Sequence, residues 1–475
     1  MKILHVSAEC YPAAKVGGLA DVVGAIPKYQ SGSNRISEVI MPKYGTAWFH
    51  KQSFEAIYKG HFWYPGETIS FSIQLLTSED LGFNLYVVDI PGKFDRQGVY
   101  ADGNGFFHDD SERWLSFQRA VLIWVFTLEE TIDIIHVHDH HTGMIPFMLK
   151  QSFDFQSSHQ IKTVFTIHNL AYQGAFGWDK QYLLAAFDNW KSGLLDWDQQ
   201  INPIAAAIRC ADAVTTVSPS YLEELKVSSY GLEWLFESED HKCFGILNGI
   251  DYDVWNPETD QYLNHHSSGD MGTFKQKNKI DLCKNYGIDP EYCTISFIGR
   301  MVEQKGADLL AYAMHAILAE RHDINFIILG TGDPYLMDQF KLLDKKYPEQ
   351  TGITLAYNEK LAHQIYAASD FLIMPSRHEP CGLNQMYSMR YGTSPIVNNT
   401  GGLIDSVIHY TERNGTGIKI NFLNVESIIK SIVDAIQLYG KKQKFKTTVK
   451  NCVDSNFSWE SSSQKYIDIY ESLIN

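Results

Sequence analysis

Residues 374–407 read MPSRHEPCGLNQMYSMRYGTSPIVNNTGGLIDSV, a segment in which a strand, a turn and a helix start follow one another twice. The apolar run at 371–375 predicts a buried strand, and the sequence after the polar turn predicts a helix over 381–391. A second short strand at 394–397 leads to a glycine turn at 401–402. Two strand ends and two helix starts therefore converge, and open α/β sheets bind their ligands in such a crevice.

The turn between the first strand and its helix carries one carboxylate, Glu379. Backbone N–H groups at a helix N-terminus suit an anion such as a diphosphate, and a carboxylate beside them can accept hydrogen bonds from sugar hydroxyls. A carboxylate at this position can equally cap the helix. The crowding of His, Glu, Pro, Cys and Gly into residues 378–382 favours a binding site.

The length and charge of the chain limit its architecture and its partners. With 475 residues, two or three domains are expected. The chain has 40 Lys and Arg against 56 Asp and Glu, a formal net charge of −16. Nucleic acid and anionic membrane are therefore not expected as partners, because both require basic surface. A locally basic pocket for a small anion remains compatible with this charge.

Cysteine usage and the N-terminus indicate a cytoplasmic protein. Seven cysteines are scattered along the chain without a C-x-x-C pair, so neither a disulfide framework nor a zinc ribbon is expected. The N-terminal MKILHVSAE leads directly into a strand, with no signal peptide. No apolar run approaches the ~18 residues of a membrane span.

The N-terminal segment repeats the arrangement of strand, glycine turn and helix. Residues 2–7 predict a strand, and Gly17 and Gly18 open a helix that continues through Asp21. Such glycines let a phosphate approach the backbone closely, although the spacing is not the G-x-G-x-x-G of a dinucleotide fold. Lys15, just before the glycines, is either a phosphate ligand or a solvated loop lysine.

The run HVHDHH, residues 136–141, follows a predicted strand and suggests a metal site. Alternation along a strand would place His136, His138 and His140 on one face. No second cluster has matching spacing, so no metal is predicted, and Asp139 is interpreted as an acceptor for sugar hydroxyls. His168 ends the next predicted strand, 162–168, at the same sheet edge.

Strands and helices alternate along both halves of the chain. At 218–219, Ser and Pro predict an N-cap and a first helical residue. Alternation of this kind predicts parallel sheets. We therefore expect an α/β protein with two doubly wound Rossmann-like domains, 1–256 and 257–475, facing a cleft. The amphipathic helix predicted at 459–473 could pack on either domain.

Arg300 and Lys305 flank one predicted strand-to-helix turn and suit a diphosphate clamp. Either residue alone would usually be a solvated charge. A diphosphate held by cations and backbone needs no metal to leave. This combination suggests group transfer from a nucleotide-activated donor.

Several longer segments recur in the order of a known family. They are AKVGGLADVVGAIPK (14–28), MPKYG (41–45), HVHDHHTGMIP (136–146), TIHNLAYQG (166–174), TTVSPSY (215–221), LNGIDYDVWNPETD (247–260), IGRMVEQKG (298–306), LAHQIYAASDFLIMPSRHEPCGLNQMYSMRYGTSPIV (361–397), TGGLIDSV (400–407) and NGTG (414–417). On these segments the chain resembles the bacterial glycogen synthases and plant starch synthases. K-V-G-G-L-A-D-V-V is highly specific, and E-P-C-G-L narrows the resemblance further.

The resemblance implies a retaining glucosyltransferase of the two-domain GT-B type that uses no cofactor. Such an enzyme transfers glucose from a nucleotide-glucose, ADP-glucose in the bacterial family, to the non-reducing end of an α-1,4-glucan such as glycogen. The same reaction with UDP-glucose stays open as an alternative. So do a sucrose- or trehalose-type transferase, which the long KVGG segment disfavours, and a non-catalytic glucan-binding relative.

The resemblance also assigns roles by position. It implies that the diphosphate is bound by Lys15, Gly18, Arg300 and Lys305. It implies that the loop for donor glucose and phosphate comprises Glu379, Cys381, Gly382 and Leu383. Further donor-site positions are Asp21, Asn248, Thr400 and Gly401. His168 lies beside the transferred glucose, Asp139 near the acceptor, and Tyr357 stacks on the base. Arg300, Lys305, Glu379 and His168 are expected to be catalytic.

The chain departs from the family pattern at three places. His140 stands where the family usually has Trp, and NPIAAA (202–207) places Ala205 where many members have a lysine. SGSNRISE (31–38) stands where the helix of family members usually ends in Gly-His. These departures concern the acceptor side and the choice of donor.

Overall fold

The computed structural model describes residues 1–102, 105–158 and 160–474. Residues 103, 104, 159 and 475 fall inside the predicted domain ranges and lie outside the described residues. Contacts divide the chain into two compact units. Unit 1 comprises Met1–Gly249 and Trp459–Asn475, and unit 2 comprises Ile250–Ser458.

The described part of unit 1 is built on a nine-stranded sheet. Its nine strands are β1 Lys2–Val6, β2 Ile36–Pro42, β3 Phe54–Tyr64, β4 Glu67–Leu76, β5 Leu85–Asp89, β8 Ile134–His138, β9 Lys162–Ile167, β12 Ala213–Thr216 and β13 Cys243–Gly245. Two separate small hairpins are formed by β6 Ala101–Asp102 with β7 Gly105–Phe106, and by β10 Asp196–Trp197 with β11 Gln200–Ile201. The order is β13-β12-β9-β8-β1-β2-β5-β4-β3, parallel as far as β5 and antiparallel beyond it. The carboxyl ends of β1, β8 and β9 therefore lie at one edge.

Helices connect the parallel strands of unit 1. They are α1 Gly18–Gln30, α2 Ala47–Lys51, α3 Asp110–Val125, α4 Ile145–Gln151, α5 Pro203–Cys210, α6 Pro219–Val227 and α7 Glu233–Ser238. Short 3-10 helices cover Phe153–Ser158, Trp178–Leu183, Asn189–Leu194 and Asp240–Lys242. The predicted start of α6 is confirmed: Ser218 caps it by accepting a hydrogen bond from the Tyr221 N–H, and Pro219 is its first residue.

Unit 2 contains a six-stranded parallel sheet in the order β16-β15-β14-β17-β18-β19. Its elements are α8 Met271–Tyr286, β14 Cys293–Ile298, α9 Ala307–Glu320, β15 Ile324–Leu329, α10 Pro334–Lys346, β16 Thr351–Thr354, α11 Glu359–Ala368, β17 Phe371–Met374, α12 Asn384–Arg390, β18 Ser394–Asn398, α13 Gly402–Ser406, β19 Ile418–Ile420, α14 Val425–Gly440 and α15 Lys442–Asp454. A 3-10 helix, Glu303–Lys305, precedes α9.

The last helix, α16 Trp459–Ile474, follows unit 2 in the chain and belongs to unit 1. Its buried face, including Trp459 and Tyr470, packs in one apolar cluster with Ile3 of β1 and Ile26 of α1. Burial of such aromatic side chains is worth roughly 1.5–3 kcal/mol each. The helix is therefore part of the unit 1 core.

The α/β class with parallel sheets in two domains, predicted from the alternation of strands and helices, is confirmed by these two units. One helix start was predicted wrongly. The helix expected over 381–391 begins only at Asn384. Gly382 has a φ of +72°, which an α-helix cannot contain, so the chain after Glu379 is an irregular loop. The roles predicted for 1–256 and 257–475 stay predictions. Within the described ranges, no helix has both the length and the apolar character that crossing a membrane requires.

Candidate active site

The glycine turn before α1 is held by a carboxylate that the sequence analysis missed. Glu9 is buried, and its Oε2 accepts hydrogen bonds from the N–H groups of Val16 at 2.5 Å and Gly17 at 3.0 Å. Its Oε1 accepts from the Tyr100 hydroxyl at 2.6 Å. Burial raises the pKa of Glu9. The two glycines were expected to let a phosphate approach the backbone. In the structure, Glu9 accepts from two N–H groups of the same segment and so sets the shape of the turn.

Two of the predicted ligands in this segment form an ion pair. Lys15 Nζ lies 2.7 Å from Asp21 Oδ1, with about a third and a quarter of the two side chains exposed. Gly18 is the first residue of α1. The pair places an ammonium group at the exposed start of α1, where a helix dipole also favours an anion.

Asp139 and His168 are brought together at the carboxyl ends of β8 and β9. Asp139 Oδ1 accepts hydrogen bonds from the N–H groups of His168 at 2.7 Å and Asn169 at 3.3 Å. Burial raises the pKa of Asp139 to about 7 and lowers the pKa of His168 to about 3. Asp139 therefore holds the backbone of the His168 loop, a role that sequence spacing alone did not indicate.

The predicted common face of His136, His138 and His140 is wrong for His140. Asp139 has a φ of +56°, which breaks the strand alternation after His138. The His140 ring contacts His141 instead, with ring centroids 3.7 Å apart. His5 takes its place beside the other two, because β1 pairs in parallel with β8 and sets His5 opposite His136.

Asn248 lies in the segment after β13 and is 4% exposed. Within the described part of the chain, its Oδ1 has no hydrogen-bond partner. A buried, unpaired carbonyl oxygen is costly, so such an atom is a candidate for binding a ligand. This observation is compatible with the predicted donor-site role of Asn248, which stays a prediction.

In unit 2, Lys305 and Glu379 form a bidentate pair. Lys305 Nζ donates to both carboxylate oxygens, at 2.8 and 2.7 Å, and the Ser376 hydroxyl donates to Glu379 Oε2 at 2.9 Å. The Glu379 side chain is only 9% exposed. Residues far apart in sequence meet because Gly306, at φ +69°, lets the turn before α9 approach the carbonyl of Pro375.

The second glycine turn packs backbone to backbone on the loop after Glu379. The N–H of Gly402 donates to the carbonyls of Glu379 and Pro380, both at 3.1 Å. Gly401 has a φ of +44°, and a Cβ on it would lie 2.2 Å from the Glu379 carbonyl oxygen. Cys381, Gly382 and Leu383 complete this loop, and Thr400, which is buried, precedes the turn. The loop predicted to bind donor glucose and phosphate is thus a fixed unit with the Gly401 turn.

Two predicted donor ligands are on the surface of unit 2. Arg300 follows β14 and is exposed, and its Nη2 donates to Gln304 Oε1 at 3.3 Å. Tyr357 follows β16 and is 75% exposed. An exposed guanidinium is accessible to a diphosphate, and an exposed ring to a base, without rearrangement of the core. Ser376 and Gln304 were missed because single polar turn residues carry no distinct signal in one sequence.

Comparison with known proteins covers the whole chain. Residues 2–238 match the family described as starch synthase catalytic domain, and residues 278–451 match glycosyl transferases group 1. The glycogen synthase of Flavobacterium johnsoniae is 46% identical over 100% of this chain and 99% of its own. The glycogen synthase of Streptococcus sanguinis is 36% identical over 100% of both chains.

A solved structure is similar over the same extent. The catalytic domain of starch synthase IV from Arabidopsis thaliana, bound to ADP and acarbose, has a TM-score of 0.88 and 29% sequence identity, and the match covers 99% of each chain. The identities of 46% and 36% to the two glycogen synthases extend along the full length of this chain and show its family. The chain belongs to the family of bacterial glycogen synthases and plant starch synthases.

Proposed function

We propose that the protein is a retaining glucosyltransferase that elongates an α-1,4-glucan at its non-reducing end, with ADP-glucose as donor. The observation that carries the proposal is the Lys305–Glu379 pair, fixed between two strand-to-helix turns of unit 2 in a chain of this family. The starch synthase IV structure, bound to ADP and acarbose, supports the choice of nucleotide and acceptor.

The leaving group sets the main electrostatic demand of this reaction. As the bond between the anomeric carbon and the diphosphate breaks, negative charge develops on ADP. Preorganised cations that meet such charge are usually the largest catalytic contribution. Arg300 and Lys305 supply this charge from the turn after β14, in a chain whose net charge is −16.

Glu379 positions Lys305 as well as the sugar. The carboxylate receives three hydrogen bonds, two from Lys305 and one from Ser376, and so keeps the ammonium group in one place. A carboxylate oxygen has capacity for a further hydrogen bond from a sugar hydroxyl. Loss of either member of the pair therefore changes both the charge that the diphosphate meets and the position of the glucose.

Asp139 and His168 act on the glucan side of the reaction in this proposal. Asp139 fixes the backbone of the loop that begins at His168, beside the transferred glucose. The 4-hydroxyl oxygen of the acceptor bonds to the anomeric carbon on the face that the diphosphate leaves, and its proton departs with the diphosphate. The configuration at that carbon is therefore retained without a covalent enzyme intermediate.

We place the reaction in the cytoplasm. The scattered cysteines, all of them buried and none in a disulfide among the described residues, support a reducing compartment.

The experiment uses donor labelled in the glucose. The protein is incubated with glycogen and labelled ADP-glucose, and the polymer is then digested by an exo-acting hydrolase that removes α-1,4-linked units from the non-reducing end. We expect label in glycogen and its release in the first products of digestion. The Lys305→Met variant serves as control and should incorporate far less. Label that stays with free glucose, or that is resistant to the hydrolase, would contradict the proposal.

A further inference from the structure

A chain of buried hydrogen bonds leads from His168 into the core of unit 1. His168 Nε2 lies 3.0 Å from His138 Nδ1, and His138 Nε2 lies 3.1 Å from His5 Nδ1. His5 Nε2 lies 2.7 Å from Gln30 Oε1 at the end of α1. All four side chains are buried, and His168 is the most exposed at 9%.

Gln30 also joins a second branch that reaches α16. Its Nε2 donates to the Tyr470 hydroxyl at 3.1 Å, and that oxygen lies 2.6 Å from His136 Nδ1. His136 Nε2 lies 2.6 Å from the hydroxyl of Thr166. The Ser37 hydroxyl donates to Gln30 Oε1 at 2.9 Å.

The clustered histidines His5, His136 and His138 do not form a metal site. Donor atoms of His5, His136 and His138 lie within 4.8 Å of one another, which alone would suggest one. However, both ring nitrogens of each histidine are already engaged in the hydrogen bonds described above. A metal ligand needs a free lone pair on nitrogen directed at the ion, so the cluster is better explained as a hydrogen-bonded relay.

The direction of each hydrogen bond follows from the amide. A neutral imidazole carries one N–H and one acceptor nitrogen, and a carbonyl oxygen only accepts. His5 must therefore carry its hydrogen on Nε2, facing Gln30, which leaves Nδ1 as acceptor. His138 must then donate from Nε2, and His168 in turn must donate from Nε2.

Burial keeps these rings neutral. It lowers the pKa of His5 to about 4 and of His168 to about 3, and it lowers the pKa of His138 well below its ordinary value. At neutral pH each ring therefore has one hydrogen, and the orientation of one amide group is transmitted along the relay.

We propose that Gln30 is a positioning residue that fixes the tautomer of His168 through His5 and His138. His168 holds its hydrogen on Nε2 and presents Nδ1 as an acceptor only. The meaning of this tautomer for catalysis rests on the proposed function, in which His168 lies beside the transferred glucose. A sugar hydroxyl can donate to Nδ1 in this state, whereas the opposite tautomer would turn Nδ1 into a donor.

The tautomer is measured directly by nitrogen NMR of the full-length protein labelled with ¹⁵N-histidine. Two-bond correlations between ring protons and ring nitrogens distinguish a protonated from an unprotonated nitrogen, and His168→Ala identifies the signal. We expect His168 as the pure Nε2–H form at pH 7. A pure Nδ1–H form, a mixture or a charged ring would overturn the inference. This result does not depend on turnover, so it stands apart from failure of the proposed function.

Two substitutions at Gln30 distinguish the effect of its hydrogen-bonding groups from the effect of its side-chain volume. Gln30→Glu places acceptors at both ends of the side chain, so His5, His138 and His168 should keep their tautomers while the Tyr470 hydroxyl turns to the carboxylate. In the parent, the Tyr470 hydroxyl accepts from the Gln30 amide and donates to His136 Nδ1, so His136 carries its hydrogen on Nε2. In Gln30→Glu, His136 should carry it on Nδ1 instead. Gln30→Met removes both polar atoms, and His168 should become a mixture of tautomers. A pure Nε2–H signal for His168 in Gln30→Met would show that Gln30 does not fix it.

Ser37→Ala is the matched control for loss of a buried hydrogen bond at the same amide oxygen. It removes a donor to Gln30 Oε1 without reversing any bond of the relay. The tautomer of His168 should be unchanged. In turnover with ADP-glucose and glycogen, Gln30→Met should lower kcat/KM by about two- to tenfold, since only part of the population holds the competent tautomer. Gln30→Glu should retain more activity than Gln30→Met. Equal losses in Ser37→Ala and Gln30→Met would indicate a merely structural role.

Discussion

Asp139 offers a quantitative test of the site in unit 1, because its burial makes stability depend on pH. Its pKa is raised from 3.8 to about 7 by removal of the carboxylate from water. Below about pH 4 the folded and unfolded chains both hold this proton. Between pH 4 and 7 only the folded chain keeps the proton, so the free energy of unfolding falls as pH rises. Above pH 7 the free energy of unfolding stays lowered by the full cost of burying the charged carboxylate.

The magnitude follows from the two pKa values. Each tenfold change in proton affinity corresponds to about 1.4 kcal/mol, so the difference between 3.8 and about 7 is worth about 4 kcal/mol at pH 8. Asp139→Asn removes the titration. An asparagine still accepts from the N–H groups of His168 and Asn169, and it tolerates the positive φ of this position. We therefore expect the variant to be more stable than the parent at pH 8.

The assay is chemical denaturation of parent and variant at pH 5 and pH 8. The stability gap in favour of Asp139→Asn should widen by about 3 kcal/mol between these values. Asp179→Asn, at an exposed carboxylate of the same unit, is the control. A difference that stays constant, or that widens toward acid pH, would exclude a raised pKa for Asp139, because it would mean that Asp139 is charged at little cost in the folded protein.

Three further predictions concern unit 2. Lys305→Met should lower kcat by about 10²–10³, because it removes preorganised charge from the leaving group; unchanged steady-state kinetics would contradict the role given to the pair with Glu379. Gly401→Ala should destabilise the protein by about 1–3 kcal/mol in denaturation, since its methyl group would meet the Glu379 carbonyl. Lys279→Met should cost about 3–5 kcal/mol by leaving the buried carboxylate of Asp370 unpaired, 2.6 Å from the lost ammonium, while kcat of the folded fraction stays at the parent's value. Equal stability of that variant and parent would mean that the carboxylate finds another partner.

The sequence predicted the architecture well because strands and helices in a parallel α/β fold leave strong periodic signals. The strand predicted at 394–397 is β18, Ser394–Asn398, and the cap of α6 followed from Ser218 and Pro219. The start of α12 was predicted wrongly because the helical pattern of apolar residues continues into the loop, where Gly382 takes a left-handed conformation.

The site was predicted less completely because contacts between distant segments leave no local signal. Glu9 could not be related to the glycine turn until the loop was folded back on it. His5 joined the histidine relay only through the parallel register of β1 with β8. The pairing of Lys305 with Glu379 likewise depends on the close approach of two turns, which Gly306 permits.

The proposed donor and acceptor are tested together by nucleotide release from ADP-glucose and from UDP-glucose, each with and without glycogen. We expect release that depends on glycogen and is faster with ADP-glucose. Faster release from UDP-glucose would retain a glucosyltransferase and contradict the assigned donor. Absence of glycogen-dependent release with either donor would contradict the proposed function.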